Sequence, residues 1–429
     1  MSQQGDRPLD ERAPGAAAIA RIARERGWPA ELAERMAALN LTPSTLDTWA
    51  WFGLSPEQAA AQLAWHERLT SGDLRGRDAA YTDNDAFAAL WADSPEEIGE
   101  WEVTVERGPD AFAQFKLQEN VHLPVLALGN ELIACCGFSR RNVLIQGRRV
   151  SVVYGQALRV RRAYRRKGYG DQVRRLDGPP ANGRPAIGQY DLMRTQNYAV
   201  VSWWKKFVPS SYENVPESTG RVPGSSVSIS QFPAQPSAES DPRIRPARRE
   251  DIRACAAIIN RTHAGMDLFR PYSAEWLESV LDEGFWSDPA ERAANPALDW
   301  WKPVYAWRDY FVVEERGQIL ACGGLWDRGR DMRERWRRRG GDEERVVAIA
   351  ALLDFGFAAG AEDAMAALLR RFVGRAHELG RDYLAAPIDH LPTLRAKLES
   401  IRPEPDTRAL RWTLKDPAIV RPYTDLRYW

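Results

Sequence analysis

Between Arg148 and Val160 the side chains of Val150, Val152, Tyr154, Gln156, Leu158 and Val160 fall at every second position. A period of two predicts a strand. Two strands are predicted before it, Val125 to Leu128 and Glu131 to Ile145, divided by the turn Gly129-Asn130 and closed by Gln146-Gly147. Helical spacing of Ala, Leu and charged residues occurs earlier, over Ala16 to Arg26, Ala30 to Asn40 and Pro56 to Leu69. Thr42-Pro43 and Ser55-Pro56 supply a capping hydroxyl followed by a first-turn proline. Ala86 to Trp91 is predicted helical, and Ser94-Pro95-Glu96-Glu97 has the spacing of a capping box that opens a second helix. Beyond the long strand come a strand at Ala186 to Tyr190, a helix at Met193 to Lys206 and a strand at Ser225 to Phe232. Further on, a helix is predicted over Ala361 to Leu379 and a strand over Asp382 to Ile388. The charge-dense Arg328 to Arg345 reads as a solvated loop or helix.

Part of this pattern is repeated. Leu132-Ile133-Ala134-Cys135-Cys136-Gly137-Phe138 returns as Ile319-Leu320-Ala321-Cys322-Gly323-Gly324-Leu325, and Arg245 to Asp251 takes the place of Ala79 to Asp85. Repetition in the same order predicts two similar units. A stretch rich in Pro, Ser and Gly lies between them. The expected organisation is a helical module at 1–72, a first α/β unit at 76–232, a linker at 233–242, a second unit at 243–415 and a tail at 416–429.

Composition narrows the functional classes. Lys plus Arg and Asp plus Glu are both 59, and this balance argues against nucleic acid or a membrane surface as partner. No apolar run approaches the ~20 residues that span a bilayer, and Met1 to Arg12 has no signal-peptide core. The four cysteines form no Cys-x-x-Cys pair, which predicts buried reduced thiols, no metal and a cytoplasmic location. The oligomeric state is not legible. The 17 Trp residues imply large aromatic cores.

The candidate chemistry follows the long strand. Arg165-Arg166-Lys167-Gly168-Tyr169-Gly170 is a glycine-broken basic turn, and Asp171 to Leu176 reads as the opening of a helix. Glycines let the backbone approach a ligand closely, and free N–H groups at a helix start attract anions. Two glycines are too few for the dinucleotide pattern, and no Gly-Lys-Ser/Thr follows as in a Walker loop. The alternative is a solvated basic turn.

Arg-x-x-Gly-x-Gly after Leu158-x-Val160 and Tyr164 resembles the acyl-CoA pyrophosphate loop of the GNAT superfamily of N-acetyltransferases. Asn197 to Phe207 is similar to the superfamily's Asn-x-x-Ala…Tyr-x-Lys segment, with the Ala shifted by one. The resemblance implies an α/β (α+β) fold of two tandem GNAT-like domains, each a mixed twisted sheet flanked by helices. It further implies acetyl-CoA as co-substrate. The cofactor would be held by Leu158, Arg159 and Val160 along the pantetheine arm, by Arg165, Arg166, Lys167, Gly168, Tyr169 and Gly170 at the phosphates, and by Asn197. In the second unit the loop aligns as Phe357 for Arg165 and Glu362 for Gly170, so cofactor binding is expected in the first unit alone.

Acyl transfer to an amine needs a polarised carbonyl, a deprotonated amine and a proton for the leaving thiolate. Many relatives carry a Glu where this chain has Gln156, and a Tyr where it has Trp204. Candidates for proton transfer are Tyr154, Glu119, His122 and Asp191. Tandem GNAT enzymes of the survival-factor type use their C-terminal carboxylate, which by resemblance adds Trp429. The expected activity is transfer of an acetyl group to a primary amine of a small molecule; the alternative is a non-catalytic acyl-CoA-binding sensor or scaffold.

Overall fold

The computed structural model describes residues 14–39, parts of 55–64, and residues 74–176, 188–194, 226–236, 241–282, 304–401, 403–414, 419 and 421–428. The helices Pro14–Glu25 and Ala30–Ala38 pack Ile19, Ile22, Trp28, Leu32 and Met36 with Ala59 and Leu63 into a small core of their own.

Sixteen strands are found among the described residues. In chain order they are β1 (Leu74–Asp78), β2 (Glu96–Ile98), β3 (Trp101–Arg107), β4 (Val121–His122), β5 (Pro124–Leu128), β6 (Glu131–Ile145), β7 (Arg148–Val160) and β8 (Gly188–Arg194). They continue as β9 (Ser226–Pro233), β10 (Ile244–Pro246), β11 (Tyr310–Glu315), β12 (Gln318–Trp326), β13 (Met332–Arg338), β14 (Glu344–Phe357), β15 (Tyr383–Ala386) and β16 (Glu404–Leu414). One long sheet runs in the order β1-β5-β6-β7-β8-β16-β9-β15-β14-β12-β11-β10. The predicted β6–β7 hairpin closes through Gln146 and Gly147, both at positive φ, as a two-residue turn of that hand requires.

The sheet is two like halves joined edge to edge. Each half carries one parallel pair, β7–β8 in the first and β14–β15 in the second. Each opens with the same ion pair at the edge, Arg77 with Asp83 and Arg245 with Asp251, and each Asp also accepts a backbone N–H at 2.8 Å, from Ala80 or Arg248. Arg245 therefore matches Arg77, so the expected alignment with Ala79 is shifted by two residues.

The halves also exchange strands. The predicted strand near Ser225 forms as β9, but it pairs with β15 of the second half. In return β16, from the end of the second unit, pairs with β8 of the first. The expected domain boundaries thus separate the sequence but not the sheet.

A second sheet crosses between the halves, with β3 antiparallel to β13 and β2 paired to β3. This corrects two expectations. Glu96–Ile98 is a strand and not a helix, because a hairpin through Gly99 (φ +58°) lays it on Trp101–Val103. The charge-dense stretch, expected as a solvated loop or helix, is helical at Arg328–Asp331 but then forms β13, because its arginines meet acids on the neighbouring strands: Arg335 reaches Glu106 at 2.6 Å and Arg337 reaches Glu102 at 2.5 Å.

The helix Asn84–Ala92 packs Phe87, Leu90 and Trp91 on one face of the first half with Phe112 and Phe115. On the other face Val173 and Leu176, of the helix Tyr169–Arg175 and its end, meet Leu126, Ile133, Ala134 and Phe138. In the second half the predicted helix Glu362–Glu378 covers β11, β12 and β14 through Leu368, Leu369 and Phe372. The predicted strand at Ala186 to Tyr190 is displaced to β8, which extends through Arg194 where a helix was expected; the rest of that helix lies outside the described residues.

Candidate functional site

β7 is regular until it meets an extra residue. Its pairing with β6 jumps from Gly137↔Gln156 to Cys135↔Arg159, and Ala157 takes φ +57°. A bulge of this kind breaks the ladder and re-aims the strand. A non-glycine residue in the left-handed region costs about 1 kcal/mol, so surrounding contacts must hold it. The thiols of Cys135 and Cys136 donate to the carbonyls of Ala157 and Gln156, at 3.2 and 3.7 Å. All four cysteines are buried and unpaired.

Just before the bulge the two parallel strands cease to pair. β8 pairs with β7 only from Val152↔Gly188 to Gly155↔Asp191, while β7 continues to Val160. At the last pair the Asp191 and Gln189 side chains close over Gly155, where a Cβ would meet them at 2.1 and 2.4 Å. Leu158, Arg159 and Val160 stand at the mouth of this splay. Arg159 is pinned by Glu96 and lies 4.2 Å over the Trp91 ring.

The turn after β7 has the expected backbone. Arg162–Tyr164 makes one tight turn, Arg166 sits at φ +63° and Gly168 at φ +84° as the residue before the helix. Its side chains divide the work differently from the expectation. Arg165 turns inward, donating to the carbonyls of Val160 at 3.2 Å and Pro95 at 2.6 Å. Burial and the neighbouring Arg162 and Arg159 lower its pKa. Arg165 therefore ties the loop to the strand, and the exposed cations between Arg165 and Gly170 are Arg166 and Lys167, the latter 5.3 Å from the Tyr164 ring. Tyr169 packs edge-on against Tyr164 at 6.1 Å, and Gly170 lies 3.6 Å, at its would-be Cβ, from Val160.

The equivalent place in the second half is built from the same bulge. The β12–β14 pairing jumps from Cys322↔Gly356 to Gly324↔Leu353, and Asp354 takes φ +50°. Asp354 therefore matches Ala157, and Phe357, the last residue of β14, matches Val160 and not Arg165. Only Ala358 and Ala359 separate Phe357 from Gly360 (φ +76°), whereas Arg161 to Lys167 separate Val160 from Gly168. The basic loop is missing from the second half rather than altered in it, and Glu362 and Asp363 open the helix there.

The tail joins the two bulges. Arg427 is 1% exposed, and its guanidinium is gripped by Asp354 and Asp425, the latter at 3.1 Å. Burial opposes that charge, but the two carboxylates outweigh burial and raise the Arg427 pKa well above its ordinary value. Asp354 also accepts from the Tyr272 hydroxyl at 2.7 Å. Arg141 completes the network, 3.6 Å from Asp425 and 2.8 Å from the Tyr190 hydroxyl. On the other side the Arg427 carbonyl accepts from Gln118 at 2.6 Å and Gln114 at 3.2 Å. Gln118 and Gln156 exchange amide hydrogen bonds. The Tyr154 hydroxyl donates to the Tyr428 carbonyl, with the two rings edge to face at 5.2 Å.

The other predicted proton-transfer groups are placed as follows. Glu119 is held by Arg270 and by the Trp276 indole N–H, at 2.6 Å for the latter, both from the second half. Burial lowers the Arg270 pKa to about 10. His122 meets Asp78 at 2.8 Å, and Asp191 covers Gly155. Asn197, Trp204 and Trp429 lie outside the described residues. Sequence reasoning missed Gln114, Gln118, Asp354 and Arg427. The available signal was Asp354, a carboxylate inside the apolar run Ala350 to Phe357.

The sequence profile of the Acetyltransferase (GNAT) family matches residues 84–173, which run from the helix at Asn84 to the helix after Gly168. No curated protein matches the chain. Among solved structures, N-myristoyltransferase of Saccharomyces cerevisiae with bound myristoyl-CoA aligns at 12% identity and TM-score 0.55, covering 82% of this chain and 86% of that one. A second structure of that protein with bound myristoyl-CoA aligns at 12% and 0.55 over 83% of each chain. At such identity the likeness is one of fold.

Proposed function

We propose that this chain, a member of the GNAT superfamily and an acyl-CoA-dependent N-acyltransferase, moves an acetyl group from acetyl-CoA to a primary amine of a small molecule, and that its first half does so. One contrast carries the assignment to that half. The first half has a bulge at Ala157 next to the point where β7 and β8 cease to pair, followed by a basic glycine turn, whereas the equivalent bulge of the second half is occupied by the Asp354–Arg427 pair and has no such turn.

The mechanism is mainly one of placement. The turn at Arg166 to Gly170 takes the pyrophosphate through backbone N–H groups and the charges of Arg166 and Lys167. The strand Leu158 to Val160 lines the pantetheine arm, and the break in its ladder frees backbone donors for the thioester oxygen. One preorganised donor is worth roughly 3 kcal/mol in comparable sites, and juxtaposition of amine and thioester adds several more. The amine nitrogen bonds to the thioester carbon, the C–S bond breaks, and the thiolate takes up a proton as the nitrogen loses one.

For that proton, Glu119 is already neutralised by Arg270, and Tyr154 directs its hydrogen to the Tyr428 carbonyl. We assign proton acceptance to the Trp429 carboxylate on the resemblance to tandem GNAT enzymes alone. We also assign the protein to the cytosol, on its four buried unpaired cysteines.

The second reading, an acyl-CoA sensor, is favoured by Gln156, whose amide is engaged by Gln118 and cannot act as a base. Calorimetry with acetyl-CoA and myristoyl-CoA, followed by thiol release against small amines and a peptide amine, separates the two. Binding of acetyl-CoA with thiol release to a small amine supports the enzyme. Binding without release to any acceptor supports the sensor.

A further inference from the structure

The two halves meet through a continuous run of contacts that begins at one bulge and ends at the other. Asp354 holds the Arg427 guanidinium; the carbonyl of the same residue accepts from Gln118 at 2.6 Å; Gln118 exchanges hydrogen bonds with Gln156, and Gln156 adjoins Ala157. The first three members are deeply buried: Asp354 and Arg427 are 1% exposed and Gln118 is 0% exposed. Burying two opposite charges is a poor way to stabilise a fold, since apolar residues of similar size do as well or better. It is a good way to fix a position, because a guanidinium fork accepts few geometries. Tyr272 and Tyr310 hold Asp354 in turn, through its carboxylate at 2.7 Å and its carbonyl at 2.9 Å.

We propose that Asp354, acting through Arg427 and Gln118, is a positioning residue for acyl transfer in the opposite half: it fixes the tail backbone that holds Gln156 and thereby the bulge at Ala157. The bulge of the second half, which binds no cofactor, serves as the anchor point for the bulge that does. Asp354 itself touches neither co-substrate. This inference rests on acyl transfer taking place in the first half.

The test uses full-length protein, acetyl-CoA and a panel of primary amines. Asp354→Asn with Arg427→Gln removes both charges together, so no unpaired charge is left between them. Gln118→Met cuts the run without touching either charge. Both are expected to bind acetyl-CoA within about twofold of the parent and to keep KM for the amine, while kcat falls about tenfold or more. Arg427→Lys, which keeps the charge but not the fork, is expected to fall between. Hydrogen exchange of the backbone at Gln156 to Val160 should rise in both variants.

A folded double variant with parental kcat and parental exchange at Gln156 to Val160 overturns the proposal. If that variant does not fold, Gln118→Met decides the matter by the same two measurements. A parent that releases no thiol with any acceptor sinks the assigned activity instead, and the exchange measurement then decides the coupling alone.

Discussion

Where the first half has Ala157 at the turn of its bulge, the second has Asp354, and most other differences between the halves are consequences. An alanine brings no charge to the bulge; a carboxylate there demands a cation, which the tail supplies as Arg427. The first half follows its strand with a basic turn, while the second passes through two alanines to a helix opened by Glu362 and Asp363. Carboxylates at a helix start complement its dipole and repel phosphate. The second half is thus tuned for a closed helix–sheet contact, while the first keeps the turn that we propose holds a ligand. One topology serves both because the bulge decides only where the strand turns, and the residue in it decides what stands there.

The contrast can be broken at Gly356, the position that matches Arg159. A Cβ there would stand 2.7 and 2.8 Å from the Ile259 backbone, because the helix Ile252–Thr262 lies directly on the strand. Gly356→Ala should cost about 3 kcal/mol in denaturant unfolding. Arg159→Ala should cost less than half of that, and equal costs would show that both halves pack their helix alike.

Acid should single out the second half. His263 donates one ring N–H to the Phe355 carbonyl at 2.9 Å and meets His390 with its other nitrogen at 3.1 Å. Burial, with His390 beside it, lowers the His263 pKa to about 3, and burial lowers that of His390 to about 4. Above the ordinary value near 6.5 both are neutral whether folded or unfolded, so no pH dependence arises. Below it the unfolded chain takes up protons that the folded chain refuses. Stability is therefore lost from pH 6.5 down toward 4, by up to about 1.4 kcal/mol per pH unit for each histidine. Thermal unfolding at pH 7 and pH 5 should show a smaller difference for His263→Gln than for the parent; an unchanged difference would mean that the pair does not set the acid sensitivity.

Gly170→Glu gives the first half the carboxylate that the second has at its helix start. Its would-be Cβ has 3.6 Å of clearance, so the fold should survive. Acetyl-CoA should bind at least tenfold more weakly, about 1.4 kcal/mol; parental affinity by calorimetry would mean that the turn does not hold the pyrophosphate. The smallest effect is expected at the seam of β3 and β13. Arg337→Ala removes an exposed pair with Glu102 and should cost less than about 1 kcal/mol, with kcat unchanged.

Much of the first half was legible because its signals are local. The period-two run became β7, Gln146-Gly147 became the hairpin turn, and Gly168 takes the left-handed conformation that a glycine favours. The Cys135 and Cys322 repeats fall at equivalent places on β6 and β12. Local signals misled where a partner came from far along the chain. Ser94 and Glu97 have capping-box spacing, yet a hairpin claims Glu96 to Ile98; Arg328 to Arg345 looks solvated, yet β3 supplies acids some 230 residues away in sequence, as for Arg335 and Glu106. The inward turn of Arg165 was equally hidden, since its acceptors at Val160 and Pro95 are backbone carbonyls that any residue could offer.

The sequence by itself determined the strand, the basic glycine turn and the existence of two related units, because each depends on neighbours within a few residues. Tertiary structure alone decided that β9 and β16 trade halves, that Asp354 and Ala157 are counterparts, and that Arg427 connects them. Those facts depend on which groups share a dry space between the halves, where a charge must find an opposite charge whatever its distance along the chain.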